Sequence, residues 1–186
     1  MLKKVVSAAL AAFLFGGCST YNAFDMFKKD DSYEKALRET KNAQILNSFE
    51  TKIKITATYL NHLYPSEYKD AEYFFVGVYI PDDYEGKKDS SLFNKEYKLY
   101  MQNLAKSEQA LGGAKPKEQY LEASKIEFIE KKEQNLLYKK MPHTDNWSRY
   151  YLISFPKQEG DEPLLLKLSS PTYGEAKLSF PRAGLD

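Results

Sequence analysis

The residues of this chain that could do chemistry are few and far apart. Its 186 residues include two histidines, His62 and His143, and one cysteine, Cys18. A hydrolase of the nucleophilic kind needs a hydroxyl or thiol with a base beside it. No serine sits in a Gly-x-Ser-x-Gly setting, and both histidines fall in segments that read as exposed turns. Zinc calls for clustered His and Cys at short spacing, which two distant histidines and one thiol do not supply. Carboxylates are plentiful, but glycosidase chemistry needs two of them held about 5–10 Å apart in a cleft. No pair stands out. The run Pro81-Asp82-Asp83-Tyr84-Glu85-Gly86 gathers three carboxylates, yet lacks the spaced ligands of a calcium loop. Asp and Gly are also what a tight turn requires, and an acidic hairpin tip is the reading taken. Gly112-Gly113 lacks the later glycine and lysine of a phosphate-binding loop. No catalytic residue, metal site or cofactor is expected.

Charge argues against a nucleic-acid partner. The 27 basic side chains nearly balance 26 acidic ones, for a net charge of +1. Only Arg38, Arg149 and Arg182 are arginines, whereas nucleic-acid binders carry a basic excess and use arginine for bidentate contacts. The lysines read as a solvated surface.

The N-terminus reads Met1-Leu2-Lys3-Lys4, then an apolar run from Val5 to Phe15, then Gly16-Gly17-Cys18. A charged start, a short apolar stretch and small residues before a cut make a secretory signal. The run is too short for a bilayer, which takes about 20 apolar residues. Leu14-Phe15-Gly16-Gly17-Cys18 resembles the lipobox of bacterial lipoproteins, with Phe15 where leucine is usual. The resemblance implies diacylglyceryl transfer to the Cys18 thiol, cleavage between Gly17 and Cys18, and acylation of the new amine. Two or three acyl chains anchor stably where one does not. Ser19, rather than Asp, follows the cysteine, which by the same resemblance favours the outer membrane. With Cys18 acylated no thiol remains for a disulfide, so the fold must rest on its core. The expected organisation is a cleaved segment over 1–17, a lipidated tether over 18–31, and one β-rich domain over 32–186.

The elements of that domain follow from periodicity. Asp31-Ser32-Tyr33-Glu34 has the form of a capping box. Tyr33, Ala36, Leu37, Thr40 and Ala43 then recur at helical spacing, which predicts a helix over about 32–46. From Phe49 onward the period becomes 2. Ile53, Ile55, Ala57 and Tyr59 alternate with polar residues, while Ala71 to Ile80 is apolar on both faces, as a central strand is. Further runs centre on Tyr97, Leu99 and Met101; on Ile126 and Phe128; on Trp147, Tyr151, Ile153 and Phe155; on Leu164, Leu166 and Leu168; and on Ala176, Leu178 and Phe180. Prolines 81, 163, 171 and 181 stand at run ends, where a missing N–H does least harm. About seven short strands with turns between them predict an antiparallel β-sandwich. It is immunoglobulin-like in strand count and size, without the paired cysteines. A lipocalin-like or half-open barrel uses the same alternation and is the alternative.

Tyrosine is abundant, at 15 residues, and strand tyrosines are mostly cross-strand packing. An exposed Tyr or Trp surface suits recognition instead. The long connection Lys131–Asn146 carries Leu136, Leu137, Tyr138 and Met141 without a strand period. Apolar groups there either fold back or wait for a partner. Leu137, Tyr138 and Trp147 are therefore the candidate binding surface. The expected role is noncatalytic: a membrane-anchored envelope module that binds a protein or another envelope macromolecule. A carrier of a lipid or other apolar ligand is the alternative, and an enzyme without a recognisable motif the second.

Overall fold

The computed structural model describes residues 31–81, 96–103, 119–130 and 135–182. The signal segment, Gly17 and Cys18, the acidic turn after Pro81 and Gly112-Gly113 lie outside the described residues. Among the described residues, no helix is long and apolar enough to cross a membrane.

Helix α1 (Asp31–Arg38) is followed by strands β1 (Thr40–Asn47), β2 (Glu50–Tyr59), β3 (Glu72–Tyr79), β4 (Lys98–Gln102), β5 (Tyr120–Leu121) and β6 (Lys125–Ile129). A one-turn helix α2 (Leu136–Lys140) precedes β7 (Arg149–Phe155), β8 (Leu164–Ser170) and β9 (Gly174–Phe180). The strands form two antiparallel sheets, ordered β1-β2-β3-β7-β6 and β5-β4-β8-β9. This is the β-sandwich that the alternation predicts, with a small N-terminal helix. Among the described residues no strand pair joins the two sheets, so of the lipocalin-like or half-open barrel alternative the fully closed form is not seen.

The space between the sheets is filled. Ile53, Ile55, Ala57 and Tyr59 of β2 and Phe74, Val76 and Val78 of β3 meet Leu99, Met101, Leu164, Leu166, Leu168, Leu178 and Phe180 from the other sheet. The register explains this. Leu99 pairs with Leu168 and Met101 with Leu166, so on each strand alternate residues reach the same face.

Three expectations need correction. The helix ends at Arg38, eight residues short of the expected limit, and the chain continues as edge strand β1. Thr40 closes the helix by donating to the Ala36 carbonyl at 2.6 Å and sits beside the Thr58 hydroxyl at 2.7 Å. Beyond it, Ala43 and Ile45 turn toward the core while Asn42 and Gln44 face out. Full-length pairing with β2 outweighs a weak helical preference. With β1 and the two-residue β5, the described strands number nine rather than seven. Trp147 lies two residues ahead of β7, not on the strand face of Tyr151, Ile153 and Phe155.

A second apolar layer covers part of the outer face of the five-stranded sheet. Leu60, Phe75, Ile129, Met141 and Tyr150 form its buried centre, flanked by Leu63, Tyr64, Tyr68, Tyr73, Leu137, Tyr138 and Leu152. The segments between β2 and β3 and between β6 and β7 supply it. Most of the crowded tyrosines are thus packing groups: Tyr64 meets Tyr68 edge-on, and Tyr68 meets Tyr73 at 5.0 Å between ring centres.

Candidate functional site

Where that outer layer stops, the same sheet face is open. Pairing places Asn42, Thr56, Gly77 and Tyr150 in one row across β1, β2, β3 and β7. Gln44, Lys54 and Tyr79 form the next row on that face. A cleft of about 840 Å³ opens here, lined by Asn42, Lys54, Thr56, Gly77 and Tyr79 from the strands. His143, Thr144, Asp145, Trp147 and Ser148 of the β7 approach form its remaining described wall.

Gly77 sets the depth of this wall. A Cβ at Gly77 would lie 2.8 Å from Cε1 of the Tyr150 ring, so only glycine lets the ring cross the strand. The ring stacks on Phe75 at 5.3 Å and takes Tyr138 edge-on at 5.2 Å. Its hydroxyl accepts from the Asp145 backbone N–H and donates to the Asp145 carbonyl. Burial, above all, pushes the Tyr150 hydroxyl up to about 12, so it stays a neutral donor. Asp145 in turn organises the next three residues. Its carboxylate accepts from the backbone N–H groups of Trp147 and Ser148, at 2.8 and 2.6 Å, and from the Ser148 hydroxyl at 2.9 Å. This is the Asx-turn chemistry typical of Asp. The result is a chain of contacts, Gly77 to Tyr150 to Asp145, that fixes where Trp147 leaves the surface.

Trp147 is 60% exposed, a large fraction for an indole on so constrained a turn. His143 beside it is exposed and held at a φ of 58°, a left-handed conformation uncommon for residues other than glycine. In the described cleft wall the Ser148 hydroxyl donates to the Asp145 carboxylate, and no hydrogen bond joins it to the His143 ring.

The three candidate residues separate here. Leu137 and Tyr138 fold back as half-buried members of the outer apolar layer, where α2 is started by Asn135 accepting from the Tyr138 N–H. Leu136 next to them is exposed. Trp147 alone of the three lines the cleft. Sequence reasoning missed Gly77, Tyr150 and Asp145. A lone glycine inside an otherwise bulky strand is the signal that marks such a close approach.

A second polar cluster closes one end of the sandwich. Glu72 is fully buried, accepting the Tyr59 hydroxyl at 2.6 Å and the Gln158 N–H at 3.0 Å. Arg182 approaches Glu72 at 3.6 Å and donates to the Gln158 carbonyl at 2.6 Å. Burial and the Glu72 carboxylate raise the Tyr59 pKa well above its ordinary value. His62 belongs to this cluster and is not an exposed turn residue. Its ring nitrogens meet Glu39 Oε2 at 3.1 Å and the Arg182 carbonyl at 2.9 Å, and its edge packs on Tyr59. Both nitrogens are engaged and the carboxylates are buried, so this is a structural clasp between the start of β3 and the end of β9.

Among the described residues no group of three or more His, Cys, Asp or Glu side chains is placed to hold a metal ion. Comparison with protein-family models, curated proteins and solved structures gives no match.

Proposed function

We propose that this chain is a lipid-anchored, noncatalytic binding protein of the bacterial cell envelope, acting through the open outer face of its five-stranded sheet. Cys18 carries the lipid in this reading, and the outer membrane is the favoured location. The observation that carries the binding role is Trp147, exposed at the edge of the cleft yet held by a chain of contacts that runs from buried Tyr150 through Asp145. Loops set on a rigid scaffold are where recognition residues concentrate, and tryptophan leads among residues that dominate binding energy. The apolar-carrier alternative is not favoured. It wants a hollow lined by Phe and Leu, whereas the large cleft lies outside the filled core and has neither among its described lining residues.

The test has two arms. Cells fed labelled fatty acid should label the wild-type protein and not Cys18→Ala; a labelled Cys18→Ala protein that still fractionates with membrane would end the anchor half of the proposal. For the binding half, the wild-type chain should be retained on purified envelope fractions. Trp147→Ala should lose at least about tenfold in retention, as truncating a central aromatic contact does, with an unchanged unfolding midpoint. Equal retention of the two proteins would remove the cleft from the account.

A further inference from the structure

The chemistry of the cleft narrows the class of ligand, an inference that rests on the binding role proposed above. Its polar groups include several donors with no protein acceptor among the described residues, and its one described carboxylate is already hydrogen-bonded. Lys54, on the solvent face of β2, has no partner among the described residues, and neither has the Tyr79 hydroxyl nor the His143 ring. Asn42 spends its Oδ1 on the Thr56 hydroxyl at 2.7 Å, which leaves its amide N–H groups to donate. The one carboxylate in the wall, on Asp145, already accepts three hydrogen bonds. At the β2 side of the cleft, away from the Asp145 turn, a ligand therefore meets the Lys54 ammonium and the Asn42 amide N–H groups, a combination that suits an acceptor-rich, anionic group. Trp147, 60% exposed, adds a different demand, since an indole packs against flat, weakly polar C–H surface.

Few ligand chemistries meet both demands. A planar aromatic anion has the face but only a few acceptors. An acidic peptide has the charge, but such peptides are held by clusters of arginine, and no arginine lines the described cleft. A pyranose ring has an apolar C–H face on one side and hydroxyl and ring oxygens around its edge. The volume, about 840 Å³, is that of a small-ligand site and not of a flat protein interface. We infer that the cleft binds an acidic saccharide, with a sugar ring laid on Trp147 and the anionic group directed to Lys54 and Asn42. A carboxylate sugar and a phosphorylated sugar share this chemistry, and the experiment separates them.

Trp147 is the only tryptophan in the chain, so its emission reports this cleft alone. The full chain, purified in detergent, is titrated with a hexuronic-acid trimer, a hexose 6-phosphate, a neutral glucose trimer and a poly-glutamate peptide. One or both acidic sugars should change the emission saturably, with the stronger of the two identifying the anion. The neutral trimer should bind at least about tenfold more weakly. Lys54→Ala should reduce acidic-sugar affinity about tenfold, the loss of one charge-assisted contact worth about 1.4 kcal/mol. Raised salt should weaken wild-type binding more than that of the variant. Calorimetry with Trp147→Ala, which has no emission, should show loss of the heat of binding. Silence with both acidic sugars overturns the inference, as does equal affinity for the neutral trimer or tighter binding of poly-glutamate. If the sugars are silent while Trp147→Ala still loses envelope retention, the binding role stands and only the saccharide class falls. If retention is also unchanged, both fall.

Discussion

Replacing Gly77 with alanine is the sharpest perturbation of the cleft's construction. The added Cβ would stand 2.8 Å from Tyr150 Cε1 and 3.3 Å from Cδ1. Ordinary carbon contacts begin at about 3.5 Å, so the ring must retreat by about 0.7 Å or more. It has little room to do so, being stacked on Phe75, met by Tyr138 and tied through its hydroxyl to Asp145. Forcing a methyl into such packing costs about 1–3 kcal/mol, while exchanging a strand glycine for alanine returns about 0.5–1 kcal/mol. The expected result is a net loss of about 1–2 kcal/mol, read as a lower urea midpoint with an unchanged slope. The Trp147 emission of the folded variant should also shift, because the ring that holds the Asp145 turn has moved. A double-mutant cycle gives the decisive sign. In a Tyr150→Ala background the clash is gone, so Gly77→Ala should become neutral or stabilising. The same loss in both backgrounds would refute the reasoning, since the cost would then have nothing to do with the ring.

Ile55→Ala and Val76→Ala, both at fully buried positions, should each cost about 2–4 kcal/mol in chemical unfolding, whereas Lys54→Ala should change stability by less than about 0.5 kcal/mol. Equal effects at positions 54 and 55 would mean that the faces of β2 are misassigned. Glu72→Ala leaves Tyr59 and Arg182 without their buried acceptor and should cost about 3–5 kcal/mol, and Glu72→Gln distinctly less; the reverse order would contradict the clasp. The Tyr68 and Tyr150 hydroxyls are both pushed up to about 12, mainly by burial, against about 10 when unfolded. The folded state thus holds these protons more tightly, so their contribution to stability is intact below about pH 10 and is lost as pH rises toward about 12. Unfolding midpoints measured from pH 9 to 12 should fall through that window, and a flat profile would contradict the burial of these rings.

How much of this was legible in the sequence depends on the range of the interaction. Alternation along β2, β8 and β9 states directly which residues meet, since the period of 2 is local and Ile53, Ile55, Leu166 and Leu178 all reach the core. Over residues 40–47 it misleads: Thr40 and Ala43 extend the helical face expected over about 32–46, yet Ala43 and Ile45 lie on the inner face of a strand. Pairing with β2 decides between them, and pairing is not a local property. His62 looked exposed because its neighbours are turn residues; the partners that enclose it are Glu39 and the carbonyl of Arg182, at the far end of the domain. The outer apolar layer was hidden for a similar reason. Tyr73 and Phe75 announce a two-sided strand, but which loops cover the second side is set by the path of the chain. Trp147 was visible as a candidate from its type, while the cleft beside it needed the Asn42–Thr56–Gly77–Tyr150 row to be assembled.

The claim that recognition takes place at the Trp147 cleft is tested most directly by quenching of that single indole. The wild-type protein is mixed with purified envelope material, and acrylamide quenching is compared for the free and the bound protein. At 60% exposure the free indole should be quenched readily, and binding should shield it, lowering the quenching constant severalfold. Bound protein whose tryptophan is quenched as readily as in the free state would show that the partner sits elsewhere, and the cleft would lose its role.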